Sequence, residues 1–318
     1  MKIKLNIAVV TTDPDNDLLK TLNSNYDGVY CCLNFDAALD CAVKNKLGGI
    51  MLLADGYPDA TTSVAAYQAQ KVNESGIRLY IEYPSIDKTL GITGYSGLGK
   101  MGYDRAIVMD SSALNMPLYS ILYVHGAQYV KKTDITNSWL VNATVAGYDT
   151  VEFYDDSGLT DCTPYSLLET GSNGNVLIAS TKLSQFITAR YAPYIRWQKL
   201  WLGILSWVSQ KNVGYVTWQP SVKANYGPDD KLCDNAYANA VQLNMIWYKN
   251  NMICSGKSKA VYQCYGSGNN FDVFGNQVLN SGIRADCTGE SIGAIALAGV
   301  ILNNQDRKST RLNSSHDV

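Results

Sequence analysis

Residues 176–208, VLIASTKLSQFITARYAPYIRWQKLWLGILSWV, constrain the fold more than any other stretch. The run Val176–Ala179 is wholly apolar and follows the turn-forming Gly171-Ser-Asn-Gly174-Asn, so it reads as a buried strand. Downstream, Trp197, Leu200, Trp201, Ile204, Leu205 and Val208 recur at the spacing of a single helix face. Arg196, Lys199, Gly203 and Ser206 fall off that face. Pro193 suits the first turn, where a missing N–H costs nothing. Two tryptophans on one stripe need a broad apolar surface to pack on, most simply a sheet. Strand, polar link and helix therefore make one βα unit. Ligands of open α/β sheets sit outside the carboxyl ends of the strands. On that rule Thr181, Lys182 and Arg190 in the link are candidates to hold an anionic or polyhydroxy ligand. The plain alternative is a solvated loop with Arg190 in a local ion pair.

The preceding chain supplies the rest of such a sheet. Strands are expected over 3–10, 29–33, 50–54 and 77–83, and helices over 18–22, 35–46 and 62–73. Gly48-Gly49 reads as the terminator of the second helix. Alternation of strand and helix with short links predicts an α/β fold built on a doubly wound, flavodoxin-like parallel sheet. Residues 92–102 read as a glycine-rich loop and 105–109 as a strand. A helix over 114–124 leads to His125-Gly126, and strands over 139–145 and 150–154 flank Gly147. The domain is expected to span 1–215.

The chain has 318 residues, 46% of them hydrophobic and 17% charged, which is enough for two cores. A net charge of −2 gives no electrostatic footprint for nucleic acid or an anionic membrane. No apolar run reaches membrane-spanning length, and the opening MKIKLNIAVV alternates like a strand rather than a secretory leader. A cytoplasmic protein with reduced thiols is the expectation. The eight cysteines include the adjacent pair Cys31-Cys32 but no Cys-x-x-Cys, so no zinc site is expected. Asp13, Asp15 and Asp17 follow the first strand without the glycine and distal glutamate of a calcium loop, and read as a helix-capping segment. Leu98-Gly-Lys100 is followed by Met101 where a phosphate-binding P-loop carries Ser or Thr. No metal or cofactor is expected.

After a linker over 216–233 the composition changes. A helix is expected over 234–250, with Ala236, Ala240, Leu243, Ile246 and Trp247 at helical spacing. An aperiodic connection then leads through Arg284-Ala-Asp-Cys-Thr-Gly-Glu290 into a helix over 291–302. That helix is apolar on most faces, which suits the interior of a larger all-α structure. Asp286 and Glu290 are one turn apart. As a carboxylate pair they are candidates for the proton donor and the base or nucleophile of a glycosidase. Equally, they are acids favoured at a helix N-terminus. Residues 306–316, DRKSTRLNSSH, are polar and aperiodic, and resemble residue for residue the translation of a sequencing-library adapter. On that reading 306–318 is a non-native tail without fixed structure and 234–305 is a truncated helical domain. Its missing C-terminal continuation would be its natural partner.

Three runs carry a family resemblance: LADG at 53–56, LYIEYPS at 79–85, and the late VLIASTKLS with RYAP behind it. Over about residues 1–215 they resemble the class I glutamine-amidotransferase-like fold in its trehalose-utilisation-type (ThuA-like) branch. That family uses a cysteine nucleophile at a strand-to-helix elbow and a His-Glu pair. Here the elbow reads Glu82-Tyr-Pro-Ser85, and His125 has no glutamate two residues on, Gln128 being nearest. The resemblance therefore implies the fold without glutaminase activity. Residues 234–304 resemble the opening of a six-hairpin glycosidase-like α/α toroid, which implies a carbohydrate ligand. The expected function is a carbohydrate-associated protein joining a non-catalytic amidotransferase-like domain to a glycosidase-like toroid. The alternatives are a glycoside hydrolase or lyase whose catalytic residues lie mostly in the missing portion, and a non-enzymatic interaction module.

Overall fold

The computed structural model describes residues 2–86, 90, 93–101, 105–124, 126–153, 158–159, 162–186, 191–217, 226, 230–253, 260–262 and 282–303. His125, Arg190 and the tail 306–318 lie outside the described residues. Those described fall into two compact units, 2–217 and 226–303.

The first unit begins with β1 (Ile3–Val10), α1 (Asp17–Asn25), β2 (Tyr26–Cys32), α2 (Phe35–Asn45), β3 (Gly49–Leu52), α3 (Ala66–Ser75) and β4 (Arg78–Glu82). It continues with β5 (Tyr95–Lys100), β6 (Arg105–Val108), α4 (Ser111–Leu114), β7 (Ile121–Val124), β8 (Gln128–Lys132) and β9 (Ser138–Ala143). Then come β10 (Ala146–Gly147), β11 (Val151–Glu152), β12 (Tyr165–Thr170), β13 (Val176–Ala179), β14 (Tyr191–Ala192) and α5 (Tyr194–Ser209). Ten strands form one sheet in the order β14-β7-β6-β9-β12-β13-β4-β3-β1-β2.

The expectation of a parallel sheet holds for half of it. From β13 through β4, β3 and β1 to β2 every pairing is parallel. From β13 out to β14 every pairing is antiparallel. The cause is local. Residues 171–175 are too few for a parallel crossover, which needs a dozen or more, so the chain can only reverse between β12 and β13. Two further readings fail for equally local reasons. The helix expected over 114–124 gives way to strand β7, because Asn115 turns left-handed at φ 49° and Pro117 cannot continue a helix. The loop expected over 92–102 contains β5, which pairs with β8; Gly99 is there because a Cβ would lie 2.6 Å from Cζ of Tyr129.

Within the parallel half, side-chain phase sorts the residues into two cores. Ile7 and Val9, Met51 and Leu53, Tyr80, Leu177 and Ala179 face the core beneath α1 and α5. Ala8 and Val10, Ile50 and Leu52, Leu79 and Ile81, Val176 and Ile178 face the core beneath α2 and α3. Strands covered on both faces are apolar along most of their length, which is why they read as near-continuous runs. The six residues of the α5 stripe are all buried. Trp201 lies edge-on to Tyr80, with ring centroids 5.9 Å apart, and Trp207 lies edge-on to Trp139 of β9 at 6.4 Å. One helix thus covers strands of both halves. Gly48 and Gly49 do not end α2; Lys46 does, in the left-handed conformation. The two glycines let the end of α5 reach the start of β3, where a Cβ on Gly49 would sit 2.4 Å from the carbonyl oxygen of Val208.

In the second unit, α6 (Ala236–Asn251) packs on α7 (Ala285–Ile301) through Met245, Ile295 and Ala298, flanked by Val241 and Tyr248. The stripe read from the sequence is not the packed one, since Ala240, Leu243, Ile246 and Trp247 are exposed. Nor is α7 enclosed: Leu297, Val300 and Ile301 are all more than half exposed. Buried residues of the two helices meet one another, while apolar side chains on their other faces are exposed.

Two substitutions test the α5 interface. Trp201→Ala should cost about 3–5 kcal/mol, as truncating a buried aromatic does, lowering the urea midpoint with the slope unchanged. Gly49→Ala should cost about 1–3 kcal/mol, because two backbone segments must separate. An unchanged midpoint in either variant would mean that α5 does not seat on β3 as described.

Candidate functional site

The carboxyl ends of β1, β3, β4 and β13 lie side by side, and the polar residues there meet around Glu82. Strand phase aims that side chain. Tyr80 faces α5, so Glu82, two residues on, faces the same way and is fully buried. Its Oε1 accepts from the Leu183 N–H at 3.0 Å and the Tyr80 hydroxyl at 3.0 Å. Its Oε2 accepts from the Ala54 N–H at 3.2 Å and the Ser184 hydroxyl at 2.8 Å. Ser184 extends the network to α1. Its Oγ accepts from Asn16 Nδ2 at 3.2 Å, and Asn16 caps α1 by accepting from the N–H groups of Leu18 and Leu19. One carboxylate therefore joins β3, β4, the segment after β13 and the cap of α1. Burial raises its pKa, while the charge of Lys182 and the donors pull the other way.

Tyr83 follows at the elbow with φ 47°, a conformation that is a true outlier for a bulky residue. Its side chain is buried, stacked edge-on with Tyr57 at 5.0 Å. Its phenol oxygen accepts from Gln128 Nε2 at 2.6 Å and donates to the Pro58 carbonyl at 3.4 Å. The Gln128 N–H in turn donates to the Tyr57 oxygen at 2.7 Å. The backbone at Tyr83 is thus strained, and its side chain is locked into the protein with both hydrogen-bonding roles filled.

The open part of the strand ends is between β1 and β3. Asp55 accepts at Oδ1 from the Thr11 hydroxyl at 2.7 Å, and at Oδ2 from the Thr12 N–H and, at 2.8 Å, the Thr12 hydroxyl. Asp55 and Thr12 are exposed. The acidic run beside them is a capping segment: Asp13 Oδ1 accepts from the Asp15 N–H at 2.9 Å, Asp15 pairs with Lys20 at 2.7 Å, and Asp17 opens α1. Among the described residues no group of acids, histidines or cysteines is placed to hold a metal ion.

The sequence candidates fall into three places. Thr181 and Lys182 sit at this site but are buried rather than solvated, and the Thr181 hydroxyl donates to the Gln128 carbonyl at 2.7 Å. Arg190 and His125 lie outside the described residues. Asp286 and Glu290 are in the second unit, both exposed on the first turns of α7. Asp286 accepts from Arg284 and, at 2.9 Å, from the Cys287 N–H, and these hold its pKa below the ordinary value, the backbone bond foremost. Sequence reasoning missed Glu82 and Asp55. A signal existed for each: an acid ending an otherwise apolar strand either lies in solvent or is buried to organise something. No protein-family model, curated protein or solved structure matches the chain.

Both oxygens of Glu82 receive a backbone N–H, which cannot turn away. An amide at this position must set its own N–H against one of them. Glu82→Gln should therefore cost about 1–3 kcal/mol, the penalty of an unpaired buried donor. The wild type has a pH dependence that the variant lacks. Its carboxyl binds a proton more tightly folded than unfolded, so that stabilisation is full below the ordinary value of 4.5 and is lost as pH rises through the folded pKa. Urea titrations of both proteins should show their gap narrowing as pH rises. A gap that widens would mean the fold favours the charged form.

Proposed function

We propose that residues 1–215 form a flavodoxin-like domain of the glutamine-amidotransferase-like type that has no glutaminase chemistry. It holds a polyhydroxy ligand, a carbohydrate, at the carboxyl ends of its parallel strands. Tyr83 is the observation that carries this reading. The strained elbow position is occupied by a side chain that is buried and hydrogen-bonded on both sides, with no nucleophile exposed there. The parallel order β2-β1-β3-β4-β13 supports the fold assignment, since strand order reverses between β1 and β3. Ligands of such sheets bind at that reversal, and there Asp55 and Thr12 offer an exposed carboxylate and hydroxyl, groups suited to sugar hydroxyls. The helical segment 234–305 is read as the opening of a glycosidase-like toroid. On the alternative that the whole protein is a glycoside hydrolase, Asp286, held ionised by Cys287 and Arg284, would be the base and Glu290 the proton donor.

Two assays on the full chain test the proposal. Ammonia release from glutamine should not exceed the blank. On a glycan array the wild type should retain oligosaccharides, and Asp55→Asn should weaken retention about tenfold or more, as losing a charge-assisted hydrogen bond does, with its melting temperature checked alongside. Glutamine hydrolysis would overturn the reading of the elbow. Glycan binding indifferent to Asp55 would move the site, and an empty array would favour a plain interaction module.

A further inference from the structure

We infer that Cys32 and Cys41 form a reactive dithiol, which a low-molecular-weight disulfide such as oxidised glutathione converts into an intramolecular disulfide joining the edge strand of the sheet to its covering helix. β2 is an edge strand, paired only with β1. Successive side chains of a strand point to opposite faces. Tyr30 and Cys32 pack on the core beneath α2, while Val29 packs on the opposite core and Cys31 is exposed. Cys41 is on α2, which begins directly after the β2 link at the Asn34 cap, and it packs on the same core as Cys32. Helix α2 packs directly on strand β2, and Cys41 is a close enough neighbour of Cys32 to act on its thiol. Both are free and half-buried, open to a small reagent. Cys31 is adjacent in sequence but points away.

The surroundings divide the roles. Asn45 Nδ2 donates to the Cys41 sulfur at 3.4 Å and so holds it in place. The Cys32 thiol donates to the Tyr30 carbonyl at 3.9 Å, and burial, with the neighbouring Cys41 and Cys31, pushes its pKa up to about 11. Cys41 therefore attacks first. Its thiolate displaces one thiolate from the reagent and leaves a mixed disulfide on Cys41. Cys32 then gives its proton to solvent and attacks the Cys41 sulfur, expelling the second thiolate. The protein loses two protons and two electrons, and one disulfide reagent becomes two thiols.

Full-length protein is treated with oxidised glutathione, alkylated without reduction and cleaved before Asp36 and Asp40, which separates Cys41 from Cys31-Cys32. The expected product is a linked peptide pair that tandem mass spectrometry assigns to Cys32 and Cys41. Dithiothreitol should reverse it. Cys32→Ser should stop at a stable glutathione adduct on Cys41, whereas Cys31→Ser should behave as the wild type. Below its pKa the Cys32 step should quicken about tenfold per pH unit. Stable adducts on both cysteines of the wild type, a bond to Cys31, or linkage only between copies would each overturn the inference. The wild-type map decides this without any variant having to fold.

Discussion

A single buried carboxylate organises the strand ends of this protein. Strands that finish side by side leave backbone N–H groups at the start of each following segment, and those groups need acceptors once the segments cover them. Glu82 supplies both of its oxygens, one to Ala54 after β3 and one to Leu183 after β13, and uses the Tyr80 and Ser184 hydroxyls to complete the set. Burying an acid is costly when it is alone. Here four donors and the nearby Lys182 charge reduce that cost without cancelling it. Because Ser184 also receives the side chain that caps α1, the first crossover helix is set by the same residue.

That arrangement separates two kinds of polar residue at one sheet edge. Glu82, Thr181 and Tyr83 are committed inward, each to protein partners. Asp55 and Thr12 are committed to each other but remain at the surface. A ligand arriving at the strand ends would meet the second group and not the first. The acid that looks most like a catalyst by its burial is therefore the one least able to touch a substrate. A second buried acid, Glu169 of β12, is organised on the same principle: it pairs with Lys132 at 2.7 Å and accepts from Tyr95 at 2.8 Å, fixing the two-stranded β5–β8 sheet to the large one.

Much of the parallel half was legible in the sequence. Strands buried on both faces are mostly apolar, and 50–54 is wholly so while 3–10 and 77–83 carry apolar runs that little else fits. The stripe from Trp197 to Val208 named the face of α5 that is buried. The antiparallel half was much less legible. β12, YSLLET, carries three polar residues in six because its Ser166 and Glu169 bond within the protein, and such a strand resembles a loop. Gly48 and Gly49 have the sequence signature of a helix stop, although their role lies with α5, distant in sequence.

The sequence by itself determined the local matters: where the strands and helices of the parallel half form, which face of α5 is apolar, and that residues 82–85 include no cysteine. Periodicity and residue chemistry are local properties, so a single chain read in order contains them. Only the tertiary structure decided which half of the sheet runs antiparallel, which glycines admit a helix end, and which carboxylates face solvent. Those outcomes depend on groups brought together from far apart, such as Glu82 with Leu183 and Asp55 with Thr12. A hydrogen bond between distant residues leaves no periodic trace in the chain, and its partner is fixed only when the sheet has set the strand order.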